Sequence, residues 1–136
     1  MKPKPFLILL LTALPLLPAF AAPKTITCRP DAVFRCTPQR CEAIPVIDLD
    51  GTEQSFTLDL EHRTVEGILG RRRFSAGNLT RNRGNEEAYV FFGARPDTAY
   101  DWVLSIDKKN GKMTSSSASK DESFTLFGTC TWKGLK

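Results

Sequence analysis

Four cysteines, a lone histidine and five clustered arginines are the residues of this chain whose types and spacing could do chemistry. Cys28, Cys36, Cys41 and Cys130 could form two disulfides or, as thiolates, hold a zinc ion. Their spacing, C-x7-C-x4-C with a distant fourth, lacks the paired C-x2-C knuckles of common zinc modules and contains no redox C-x-x-C. Two disulfides are therefore expected, Cys36 with Cys41 and Cys28 with Cys130, and no metal site. Thr37-Pro38-Gln39-Arg40 can turn tightly enough to bring the first pair together. The second pair closes a loop on the order of 100 residues, which stabilises by about 4.7 kcal/mol in the chain-entropy model.

Arg71, Arg72, Arg73, Arg81 and Arg83 fall within a stretch of 13 residues that contains no acid. One reading is a binding patch for an anionic partner: a membrane surface, an acidic polysaccharide or an acidic extracytoplasmic protein. The other is a charged strand edge that blocks edge-to-edge aggregation. The formal charge of +4 includes Lys2 and Lys4; without residues 1–21 it is +2, 17 basic minus 15 acidic residues. The arginine stretch alone carries +5, so the rest carries −3. Such a balance is no nucleic-acid binder's.

No catalytic residue and no cofactor are expected. His62 lies in a hairpin turn beside Glu61 and Arg63, with no orienting partner evident in the sequence. Glu86 and Glu87 are adjacent and point to opposite sides of an extended chain. Ser115-Ser116-Ser117 lacks a nucleophile elbow, and the glycines form no phosphate-cradling motif. Asp48-Leu49-Asp50-Gly51 matches a fragment of a calcium loop, but a β-turn explains it with fewer requirements. Asn78-Leu79-Thr80 fits an N-glycosylation acceptor, meaningful in a eukaryotic host.

The elements that must position these residues begin after a leader. Residues 1–21 have the parts of a cleaved signal peptide: Lys2 and Lys4, an apolar run from Phe6 to Leu17, and Ala19-Phe20-Ala21 as cleavage site. A secreted or periplasmic protein with no membrane-spanning segment after cleavage follows. One domain is expected, with 22–48 as its disulfide-bearing N-terminal segment and 49–136 as an antiparallel meander. Pro30, Pro38 and Pro45 argue against long regular elements in the first part, with a short strand at Ile44 to Leu49.

Phe56, Leu58 and Leu60 alternate with polar residues and return after Glu61-His62-Arg63 through Thr64 to Leu69, a hairpin. Arg73 to Thr80 reads as one weak strand with a bulge or edge at Gly77, and Arg81 to Glu87 as a polar turn. Ala88 to Gly93 reads as a central strand buried on both faces. Tyr100 to Trp132 reads as three strands joined at Asp107 to Gly111 and at Lys120 to Ser123. The whole implies an all-β fold, a small antiparallel up-and-down barrel stapled by disulfides, with a two-sheet sandwich as the alternative.

Its expected filling is Phe56, Leu58, Leu60, Val65, Phe91, Trp102, Leu104, Ile106, Phe124 and Leu126. The function these features point to is a non-enzymatic binding or structural module acting through loops and the arginine segment. The alternative is a carrier of a small apolar ligand inside the barrel, against which the bulky inward set argues.

Overall fold

Strands with one apolar and one polar side can hide the apolar side together only by stacking two sheets or by curling one. This chain curls one. The computed structural model describes residues 23–46, 53–69, 72–76, 79–82, 86–95 and 100–135. Within them are ten strands and no helix: β1 (Thr25–Cys36), β2 (Cys41–Ile44), β3 (Ser55–Asp59), β4 (Thr64–Leu69), β5 (Arg72–Ala76), β6 (Thr80–Asn82), β7 (Ala88–Arg95), β8 (Tyr100–Asp107), β9 (Lys112–Ala118) and β10 (Ser123–Thr131). The expected leader, residues 1–21, lies outside the described residues, as does the Asp48 to Gly51 turn.

All ten strands form one antiparallel sheet in the order β5-β4-β3-β1-β10-β9-β8-β7-β6, with β2 pairing β1 beside β3. The first strand pairs with the last, so the order runs up and down around a half-barrel. Its two ends, β5 and β6, are consecutive in the chain. Ala76 and Thr80 are four residue steps apart, a reach of at most ~14 Å at ~3.6 Å per step, so the sheet must bend its ends toward each other. At this opening β5 also approaches β7.

Both expected disulfides are present, and each joins residues directly opposed across a ladder. Cys28 faces Cys130 between β1 and β10, and Cys36 faces Cys41 between β1 and β2. Thr37 N–H donates to Arg40 O at 2.8 Å and closes the expected turn.

The first strand corrects the expectation that prolines keep this segment irregular. It runs for 12 residues through Pro30, which is tolerated because it falls between the length paired to β3 (Thr25–Cys28) and the length paired to β2 (Val33–Cys36). Next to it the register with β10 slips by one residue at Asp31. This bulge moves the buried parity from Ile26, Cys28 and Pro30 to Val33.

Three other expectations are refined or corrected. A short strand runs over Cys41–Ile44 and ends where Pro45 stops it; of the strand expected at Ile44 to Leu49, residues 47–49 lie outside the described residues. The single strand expected over Arg73 to Thr80 is two, β5 and β6, which end opposite sides of the sheet, with Gly77 outside the described residues; Arg81 and Asn82 belong to β6 rather than to a turn. In β7, Phe91 is fully buried but Phe92 is 42% exposed. That strand has an inside and an outside, since no second layer among the described residues covers the outer face of this curled sheet.

The core is one cluster that includes Phe56, Leu58, Val65, Phe91, Leu104, Ile106 and Leu126, as expected, with Leu60, Trp102 and Phe124 packed against it. Ile26, Cys28, Val33, Leu79, Met113 and Cys130 join it unanticipated. Large residues face small ones across the ladders, Phe56 opposite Gly67, Trp102 opposite Gly93 and Leu104 opposite Ser115. A β-carbon at Gly93 would overlap the Trp102 indole, so the ring occupies the space that a side chain there would need.

Candidate functional site

The arginine stretch lies at the opening of the half-barrel. Arg72 and Arg73 are in β5, opposite Leu69 and Ile68 of β4, and Arg81 is in β6, opposite Phe91 of β7. No ladder joins β5 to β6 among the described residues, so the two strands leave the ends of the sheet unpaired. Three of the five arginines thus occupy the two strands that border one seam. Arg71 and Arg83 lie outside the described residues.

Beside the seam, the β3–β4 turn and the start of β6 border an open pocket of about 280 Å³ whose lining includes Leu60, Arg63, Leu79 and Thr80. Leu79 is buried, and its N–H donates to Arg63 O at 3.1 Å, which fastens the crossing chain to the turn. Arg63 has φ 57, a left-handed conformation that a non-glycine residue adopts only when its surroundings require it. No ion-pair partner of its guanidinium is found among the described residues.

The turn owes its shape to Asp59. One carboxylate oxygen accepts the N–H groups of Glu61 and His62 at 3.0 and 2.9 Å, and the other meets His62 Nδ1 at 2.8 Å. The backbone N–H of His62, and then its imidazole, hold the Asp59 carboxyl below the usual carboxylate range, while the bond to Asp59 raises His62 above the usual imidazole value. His62 therefore has an orienting partner that the sequence reading missed.

The same turn recurs at Asp107. Its carboxylate accepts the N–H groups of Lys109 and Asn110, Asn110 Nδ2 donates to its second oxygen at 3.2 Å, and Gly111 takes the left-handed position at φ 71. His62 thus stands where Asn110 stands in the other hairpin, which accounts for the Asp59–His62 contact as turn closure. Asp-x-x-His, matched with Asp-x-x-Asn, was the signal available in the sequence.

The remaining expected candidates are dispersed. Ser115 is inside, its hydroxyl donating to Val103 O at 3.0 Å, while Ser116 faces outward. Glu86 and Glu87 are exposed ahead of β7. Among the described residues no His, Cys, Asp or Glu cluster is arranged to hold a metal, and no helix is long and apolar enough to cross a membrane.

A second surface was not anticipated. Successive ladders align Phe34, Thr125, Ser116, Val103 and Phe92 in one row across the outside of β1, β10, β9, β8 and β7. Ala32, Phe127, Thr114, Ser105 and Val90 form the next row. Neither row holds a charge. Phe34, Phe92, Val103 and Phe127 are 36% to 45% exposed, and all lie on this face.

No protein-family model matches this chain, and neither the curated proteins nor the solved structures include one detectably similar to it. Its two disulfides point to an oxidising, extracytoplasmic environment.

Proposed function

We propose that the protein is an exported, non-enzymatic binding module that holds a polyanionic surface along the seam between β5 and β6. The observation that carries this reading is the placement of Arg72, Arg73 and Arg81 in the two strands that end the sheet on either side of one opening. Charges that border one opening add their fields where they come within about a Debye length, roughly 8 Å at physiological salt. Guanidinium groups offer bidentate donors to carboxylate, sulfate or phosphate, and unpaired strand edges offer backbone N–H groups. Arg63, beside the pocket, extends the same basic border.

Export through the leader at 1–21, to the periplasm or out of the cell, would supply the oxidising compartment in which the disulfides form. The second reading is a carrier of a small apolar ligand. The pocket beside the seam, lined in part by Leu60 and Leu79, favours it, but about 280 Å³ falls just short of the ~300–1,000 Å³ usual for drug-sized ligands.

The test is binding to anionic vesicles and to an acidic polysaccharide at low and physiological salt, beside the variant with Arg72, Arg73 and Arg81 changed to Gln. Salt-sensitive binding to either, weakened at least tenfold in a variant that keeps its unfolding midpoint, supports the site and distinguishes a headgroup array from a glycan. Equal binding by both proteins, or none, leaves the arginines as edge protection.

A further inference from the structure

Between Phe34 and Phe127 at one end of the uncharged outer face and Phe92 and Val103 at the other stand Thr125, Ser116, Thr114 and Ser105. Their hydroxyls have no hydrogen-bond partner among the described residues. Elsewhere on the outside, the Thr27 and Thr57 hydroxyls bond each other and the Thr129 hydroxyl bonds Asp31. We propose that this face binds a neutral polysaccharide, independently of the seam. A sugar ring has apolar C–H faces and a rim of hydroxyls, so it asks for exposed aromatic rings interrupted by small donor-acceptor groups and for no charge.

The layout meets each requirement. Phe34 and Phe127 are edge to face at 77°, so each ring is held in place while both stay open to solvent. The row from Phe34 to Phe92 crosses four interstrand gaps, ~19 Å at ~4.8 Å each, which suits an extended chain rather than a single small molecule. A second copy or another protein fits less well. Ten positions on one face cover roughly 300 Å² at ~4.8 Å per strand and ~6.7 Å per same-face residue, well under the ~800 Å² that each partner buries in a standard interface. The aromatic anchors are also split by hydroxyls instead of gathered into one apolar centre. A lipid interior would strip those hydroxyls of water and return no partner.

The experiment is depletion of the disulfide-intact protein by insoluble cellulose, chitin and starch at low and high salt. Three proteins are compared: wild type, Phe34→Ser with Phe127→Ser, and Thr114→Val with Ser116→Val. The expected result is salt-insensitive retention on at least one of these polymers, reduced at least tenfold in both variants. The valine pair uses strand-favouring residues, so it keeps the test open if the serine pair fails to fold. It also separates the occupants, since an apolar protein or lipid partner would bind the valine variant more tightly. Retention on none of the three polymers, retention unchanged or increased in the valine variant, or concentration-dependent dimerisation through Phe34 and Phe127 overturns the proposal.

Discussion

Phe34 of β1 and Phe127 of β10 meet edge to face on the outer surface of the sheet, their ring centroids 6.3 Å apart. Phe91, by contrast, is fully buried inside. An exposed aromatic pair contributes about 0.5–1.5 kcal/mol beyond its buried area, whereas removing a core phenylalanine costs about 3–5 kcal/mol. Phe127→Ala should therefore cost about 1 kcal/mol and Phe91→Ala several times more, as read from urea unfolding. Equal costs would mean that the inside and outside of this sheet have been assigned wrongly.

The paired turns give a second contrast. Gly111 is left-handed and packs so close to the Cys130 carbonyl that a β-carbon would overlap it, while Arg63 holds the equivalent position despite its side chain. A left-handed non-glycine residue costs roughly 1–2 kcal/mol. Gly111→Ala is expected to destabilise by at least that much, and Arg63→Gly to stabilise by about 1 kcal/mol while weakening polyanion binding. Loss of stability in Arg63→Gly would show that its backbone is unstrained.

What the sequence made legible was local. The β8–β10 meander could be read from a period of two and an Asn-Gly turn, and the cysteine pairing from one short spacing and one long remainder. The course of β1 could not, because Pro30 and the extra residue Asp31 interrupt its alternation just where neighbouring strands change over. Dividing the arginine stretch between β5 and β6 required knowing that the sheet curls, which is set by the first strand pairing the last. The uncharged face is the most non-local feature of all: Phe34, Thr125, Ser116, Val103 and Phe92 become neighbours only through four successive ladders.

The two disulfides differ in access. Cys28 and Cys130 are fully buried, whereas Cys41 is exposed at the start of β2. Exchange requires a thiolate to reach a sulfur. A small reductant without denaturant should open Cys36–Cys41 first, leaving Cys28–Cys130 intact until the sheet unfolds, as followed by alkylation and peptide mapping. Simultaneous reduction of both would contradict the buried placement of the long-range bridge.

The Asp59–His62 contact sets a pH dependence whose sign follows from both partners. His62 is raised in the folded state, so its contribution is complete below the ordinary imidazole value and is lost as pH rises through the raised one. Asp59 is lowered, so its contribution is complete above the ordinary carboxylate value and is lost as pH falls through the lowered one. The turn is then best held between about pH 4 and 6.5. Because His62 is the only histidine, its NMR titration is unambiguous. The midpoint should lie above that of an unstructured peptide and drop in Asp59→Asn; a midpoint indifferent to that change would contradict the contact.

The central claim, that the arginines act as a site because β5 and β6 border one opening, is tested most directly by a comparison at matched charge. Affinity for an acidic polysaccharide at physiological salt is measured for Arg72, Arg73 and Arg81 changed to Gln and for Lys109, Lys112 and Lys133 changed to Gln. Both variants lose three positive charges, but the lysines are exposed residues outside the two seam strands. The arginine variant should bind at least tenfold more weakly than wild type, and the lysine variant within about threefold of it, the scale expected of distant, screened charges. Equal losses in the two variants would show that only net charge matters and that the seam is no site.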